Sequence, residues 1–215
     1  MLEIKDLSFL DIIEDINVTF ENGHVYLITG ENGCGKTVFF KCILGLLKKT
    51  TGTVLVDGIS VDSNPKLKKQ LGALVEDPDF LPWNSGIDNL RYLASINGKM
   101  NEELVYDLLK KLSLYEDRNK ITRKYSLGMK KKLGIIQAIM EDQKIILFDE
   151  PTNGLDDASV LAFYDIVKEL KKQGKTILVV SHKEDDIKNI ADMVYVMEDG
   201  NLNGSEVITS DFEQN

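Results

Sequence analysis

"VYLITGENGCGKTVFF", Val25 to Phe40, is the stretch from which the rest of this sequence can be read. It opens on an apolar, β-branched run ending in Gly30, crosses a glycine-rich loop, and enters "FFKCILGLL", from Phe39, whose spacing is that of a buried helix. A strand therefore feeds a loop, and the loop feeds a helix. Within the loop Gly30, Gly35, Lys36 and Thr37 fall in the spacing G-x-x-x-x-G-K-[ST]. Glycines let successive backbone N–H groups turn inward around phosphates, and the helix N-terminus adds partial positive charge. The whole loop, Gly30, Glu31, Asn32, Gly33, Cys34, Gly35, Lys36 and Thr37, is expected to cradle the phosphates of a nucleoside triphosphate. Lys36 would reach the β- and γ-phosphates, and Thr37 would offer its hydroxyl to Mg²⁺, which prefers oxygen ligands that include phosphate oxygens. Cys34, near a helix N-terminus and Lys36, has a setting that can lower a thiol pKa. With no resolving cysteine evident, it is read as a small residue filling a tight loop.

Outward from the loop, "KIILFD" from Lys144 and "TILVVS" from Thr176 are continuous apolar runs, the mark of parallel strands covered on both faces. A helical stretch from Ala158 to Lys171 joins them into a βαβ unit. "LEIKDLSF", "INVTF" and "GTVLVDG" alternate instead and predict a small antiparallel sheet, while "MVYVMEDGNL" predicts a strand entering an Asp-Gly turn. Between the halves, from about Asp79 to Met140, helical periodicity dominates in "GIDNLRYLASI", "NEELVYDLLKKL" and "SLGMKKKLGIIQAIM". The expected fold class is α/β: a phosphate-loop NTPase with a mostly parallel sheet, an antiparallel β-subdomain and an inserted helical subdomain. With no linker or repeat, residues 1–215 read as one domain, the helical part at about 79–140.

At 215 residues and 43% hydrophobic the chain can bury a core without staples. A formal net charge of -9 argues against a nucleic-acid partner, which needs clustered Lys and Arg. The runs "KLKK" (Lys66 to Lys69) and "KKK" (Lys130 to Lys132) are read as solvated lysines. Two cysteines are too few for a disulfide framework, no leader precedes the first strand, and no apolar run reaches the ~18 residues that span a bilayer. A cytoplasmic chain is expected, with any membrane role exercised through a partner.

Three further stretches carry chemistry. "IILFDEP" ends a buried strand with Asp149, placed to hold Mg²⁺ beside the phosphate loop, and with Glu150, placed to polarise a water for attack on the γ-phosphate. Hydrolysis is thereby preferred over transfer. His182 closes "TILVVSH", where the neighbouring parallel strand would bring it to the same sheet edge and the γ-phosphate. In "YSLGMKKKLG", Tyr125 to Gly134, Ser126 can cap a helix, but Gly128 costs about 1 kcal/mol relative to alanine there. Such a glycine asks what approaches the backbone so closely.

Taken in order, "GENGCGKT", the helical insertion, "YSLGM", "ILFDEP", "GLDD" and "SH" resemble the ATP-binding cassette (ABC) ATPases over nearly the whole chain. The resemblance implies that Ser126 and Gly128 face across a dimer interface and bind the γ-phosphate of ATP held by the other subunit, and that Asp156 of "GLDD" belongs to the nucleotide site. It places Glu76 where the family usually has glutamine, near Mg²⁺ and the γ-phosphate. Phe9 becomes the aromatic available to stack on adenine, or else a core residue. Phe80, Leu81 and Trp83 of "PDFLPW" would line a groove for a membrane subunit's helix, or fill a subdomain core. The Ser-Leu-Gly-Met signature, in place of Ser-Gly-Gly-Gln, is similar to that of the antibiotic-resistance, bacteriocin-immunity and sodium-export branch. The implied protein is an ATPase using ATP and Mg²⁺ that energises a membrane permease subunit on another chain. It would work at the cytoplasmic face of the membrane as an ATP-dependent homodimer, or a heterodimer with another cassette. The alternative is a soluble ABC ATPase acting as an assembly scaffold or regulatory factor.

Overall fold

In the computed structural model, which describes residues 1–98 and 100–207, β1 (Leu2–Phe9) and β2 (Ile13–Phe20) form the first hairpin. β3 (Val25–Thr29) leads through the phosphate loop into α1 (Lys36–Ile43), and β4 (Thr51–Val56) and β5 (Ile59–Ser60) follow. A 3-10 turn, Pro65–Gln70, precedes β6 (Leu71–Leu74), and the middle of the chain is α2 (Gly86–Asn97), α3 (Glu102–Lys111) and α4 (Leu127–Ile139). β7 (Ile145–Asp149), α5 (Asp157–Lys172) and β8 (Thr176–Val180) make the βαβ unit, and α6 (Glu184–Ile190), β9 (Met193–Glu198) and β10 (Asn201–Val207) complete the described residues. Residues 208–215 of the expected domain lie outside them.

The alternating segments pair as the antiparallel sheet β2-β1-β4-β5, and the apolar runs enter a second sheet, β10-β9-β3-β8-β7-β6. In the second sheet β9, β3, β8, β7 and β6 run parallel, and β10 pairs antiparallel with β9 across the Asp199-Gly200 turn, both of whose φ angles are positive as such a turn requires. Side-chain alternation splits the core in two. Val25, Leu27, Ile146, Phe148, Ile177 and Val179 face α2 to α6, whereas Tyr26, Ile28, Ile145, Leu147, Leu178 and Val180 face α1 and the antiparallel sheet. Every residue of β7 and β8 is buried, which explains why these strands read as unbroken apolar runs.

Three local readings change. α1 starts at Lys36 and stops at Ile43, so "GLL" is not helical; Gly45, at φ 66°, turns the chain out. α6 was not foreseen, because "EDDIKNI" has no apolar stripe and docks through Ile190 and the buried Asp186. The "KKK" run is not solvated as a whole: Lys131 and Lys132 are buried at 6% and 9% exposure. Among the described residues, no helix is long and apolar enough to cross a membrane.

Candidate functional site

The carboxyl ends of β3, β8 and β7, three neighbours in the sheet, gather the site. β3 delivers the phosphate loop, whose Glu31, Asn32 and Gly33 are exposed and whose Gly35 and Lys36 are buried. Gly30 has no alternative residue type: a Cβ there would lie 2.2 Å from the Met197 carbonyl oxygen on β9. Lys36 Nζ donates to the Gly30 and Glu31 carbonyls at 2.7 Å each and lies 3.6 Å from Cys34 Sγ, so its ammonium is held at the loop's centre. A cleft of about 400 Å³ opens beside the loop between Gly30, Glu31, Cys34 and the β9–β10 turn at Met197 to Asp199. That wall was not legible in the sequence, since nothing in "MEDG" announces its neighbour.

From β7, Asp149 accepts a hydrogen bond from Thr37 Oγ1 at 2.7 Å, joining strand and loop. Its carboxyl is held above the ordinary range, chiefly because burial disfavours the charged form, with Glu150 and Glu76 adding repulsion against the Thr37 bond and Lys36. A divalent cation suits this setting: a hydroxyl and a carboxylate oxygen lie together among further negative charges. Among the described residues no group of three or more His, Cys, Asp or Glu side chains converges as a metal site. Glu76 is engaged elsewhere as well, by Lys41 Nζ at 2.6 Å, and its side chain is 62% exposed. It influences Asp149 through charge.

Glu150, one residue on, has φ 47°, a left-handed backbone that costs a non-glycine residue on the order of 1–3 kcal/mol. Its Oε1 lies 2.9 Å from His182 Nδ1, and its Oε2 accepts from Asn153 Nδ2 at 3.1 Å. His182 is exposed at the end of β8. Behind it, the fully buried Asp186 accepts from Ser181 Oγ at 2.5 Å, Thr152 Oγ1 at 2.9 Å and Tyr164 Oη at 2.6 Å. This carboxylate ties the His182 turn to the loop after β7. Reading the sequence missed it, because "EDD" gives no sign that one acid turns inward.

Ser126 is exposed and caps α4, its Oγ accepting from Met129 N–H at 3.2 Å. Gly128 has a reason within its own chain: a Cβ would stand 2.9 Å from the Gly154 carbonyl oxygen. One turn later Lys131 Nζ donates to the Glu150 carbonyl at 3.1 Å, and Lys132 Nζ donates to Asp156 Oδ2 at 3.0 Å. Asp156 also caps α5 through Ser159, and the Lys132 and Ser159 bonds hold its carboxyl well below the ordinary range. Asp156 is thus occupied with joining α4 to α5.

Phe9 is half-buried and packs against the core under the antiparallel sheet, with Ile12 of the same turn beside Gly35. "PDFLPW" divides: Phe80 is core at 6% exposure, while Leu81 and Trp83 are exposed and Arg123 stacks over the Trp83 ring at 4.6 Å.

A phosphate loop opening a helix, a buried carboxylate bonded to the loop's threonine, and a glutamate and histidine paired at the same sheet edge define a phosphate-loop nucleoside triphosphatase. The chain belongs to the ABC transporter family, whose sequence pattern matches residues 13–153, and is one of its ATP-binding proteins. It is 33% identical to the ABC transporter ATP-binding protein YybJ of Bacillus subtilis, over 95% of this chain and 94% of that protein. It is 35% identical to the bacitracin transport ATP-binding protein BcrA of Enterococcus faecalis, over 92% of this chain and 65% of that protein, so it spans about two thirds of BcrA. To the lantibiotic transport ATP-binding protein SrtF of Streptococcus pyogenes it is 31% identical, over 94% of this chain and 89% of that protein. The solved structure of an ATP-binding subunit of an ABC transporter superposes with a TM-score of 0.89 at 25% identity, covering 97% of this chain and 90% of that one. ATP hydrolysis in the service of a transporter is the general activity of this family.

Proposed function

We propose that this chain is the ATP-hydrolysing subunit of an exporter whose membrane-spanning permease is a separate chain, and that it closes as a dimer around two ATP molecules. The observation that carries the reading is the Glu150–His182 pair at 2.9 Å, set at the strand ends beside Lys36 and the Thr37–Asp149 pair. Lys36 binds the β- and γ-phosphates and the loop N–H groups surround them. Thr37 and Asp149 would hold Mg²⁺, which supplies charge neutralisation on the phosphates. Glu150 takes a proton from the attacking water as its oxygen bonds to the γ-phosphorus, while the bond from that phosphorus to the β–γ bridging oxygen breaks and ADP leaves with the electron pair. His182, hydrogen-bonded to Glu150, orients that carboxylate and reaches toward the γ-phosphate.

The exposed Ser126 and the half-buried Gly128, at the start of α4, are assigned to the γ-phosphate of the facing subunit. Phe9 is assigned to the adenine and Glu76 to the surroundings of Mg²⁺. The whole chain acts as one cassette with its helical part at about 79–140. The relatives named for bacitracin and lantibiotic transport support the antibiotic and bacteriocin export branch. The exposed Leu81 and Trp83 support a permease contact beside the helical part, at the cytoplasmic face of the membrane. Detergent extraction of membranes carrying the tagged chain tests the partner: a hydrophobic polytopic protein should co-purify, and recovery solely in a soluble complex would favour a scaffold role.

A further inference from the structure

We propose that Lys131 is a positioning residue for Glu150; this rests on the reading of Glu150 as the base. Lys131 belongs to a run that looks like surface charge, yet it is 6% exposed, and an ammonium leaves water at great cost unless its protons find acceptors. Its Nζ donates to the backbone carbonyl of Glu150 at 3.1 Å. Among the described residues it pairs with a single carboxylate, Asp77 Oδ1 at 3.7 Å, on a side chain 67% exposed, so water screens that pair and the carbonyl is the stronger tie.

The carbonyl in question belongs to a residue that must be held. Glu150 adopts φ 47°, which a glutamate leaves readily unless its surroundings fix it. Its N–H is fixed by Val180 O at 3.0 Å and its carboxylate by His182 and Asn153, while its carbonyl accepts from the Asn153 N–H at 3.3 Å within the turn and from Lys131 Nζ at 3.1 Å, the tie that comes from another element. The grip comes from a rigid element. Gly128, Lys131 and Lys132 follow at i, i+3 and i+4, one face of α4, and meet Gly154, Glu150 and Asp156 in the loop after β7. The helix that presents Ser126 therefore also sets the direction of the Glu150 carboxylate in its own chain.

A double-mutant cycle on the full chain tests this, reading steady-state ATP turnover together with affinity for a fluorescent ATP analogue. Lys131→Met should lower kcat about tenfold to a hundredfold, the loss expected for a misplaced reacting group, with KM and nucleotide affinity within about twofold of wild type. In the Glu150→Gln background the same substitution should change the residual turnover by less than about twofold, because Lys131 acts through Glu150. An unchanged kcat for Lys131→Met, or an equal proportional loss in both backgrounds, would overturn the proposal and assign Lys131 to packing. Wild-type turnover in the Glu150→Gln single variant would overturn the reading of Glu150 itself, and that outcome is visible separately. Should Lys131→Met fail to fold in thermal denaturation, Lys131→Gln, which keeps an N–H donor for the carbonyl, takes its place with a smaller kcat loss and the same non-additivity.

Discussion

Gly128 lies against the carbonyl of Gly154 so closely that a Cβ would stand 2.9 Å from its oxygen. A contact inside the monomer thus accounts for a glycine in the first turn of α4, independently of any neighbouring molecule. Gly128→Ala should therefore fail to deliver the stabilisation of about 1 kcal/mol that helix propensity alone would give. Its melting temperature should stay level or fall, with monomer ATP affinity unchanged and turnover reduced. A rise of ~2–4 °C, the full propensity gain for a domain of this size, would show that α4 and the loop after β7 are not in tight contact.

Asp149 is raised above the ordinary carboxylate range mainly by its burial. A group with a raised folded-state pKa contributes stability that is fully present below the unfolded value and is lost as pH rises through the folded one. At neutral pH the buried charge is therefore a cost. Asp149→Asn should melt higher than wild type at pH 7 without nucleotide, the gap should narrow as pH falls into the carboxylate range, and Mg²⁺-dependent turnover should drop by orders of magnitude. A neutral-pH melting temperature at or below that of wild type would contradict the electrostatic account.

Glu76 forms an exposed pair with Lys41 and adds repulsion to Asp149. Glu76→Gln should change stability by no more than about 1 kcal/mol, as for surface ion pairs, and should keep hydrolysis. The Mg²⁺ concentration for half-maximal turnover should rise, since a negative charge near the cation is gone. Superimposable magnesium titrations of mutant and wild type would remove Glu76 from the metal's surroundings.

How much of this was legible in the sequence depends on the range of the interaction involved. The phosphate loop, the parallel strands and the Asp199-Gly200 hairpin follow from local spacing and turn chemistry, which a sequence displays directly. The resemblance supplied the order of the remaining motifs. What stayed hidden was tertiary: Lys131 and Lys132 look like any lysines until the loop after β7 covers them, and Asp186 looks like its neighbours in "EDD" until Thr152, Ser181 and Tyr164 surround it. Gly30 and Gly128 were conspicuous as glycines, but the carbonyls that require them, Met197 and Gly154, lie far along the chain. Patterns of exposure cannot be read where a buried charge is paired by a residue distant in sequence.

The most direct test of the central claim is the Glu150→Gln variant, which keeps the side chain's size and much of its hydrogen bonding to His182 and Asn153 but loses the base. Light scattering without nucleotide, with ADP and with ATP reads its assembly, and a radiolabel reads whether ATP stays bound and intact. The account predicts that ATP is bound and persists, that turnover falls by orders of magnitude, and that a dimer accumulates with ATP alone, since ADP lacks the γ-phosphate that on this proposal would link Lys36 and His182 of one chain to Ser126 and Gly128 of the other. A variant that holds intact ATP and remains monomeric, or one that hydrolyses at the wild-type rate, would contradict it.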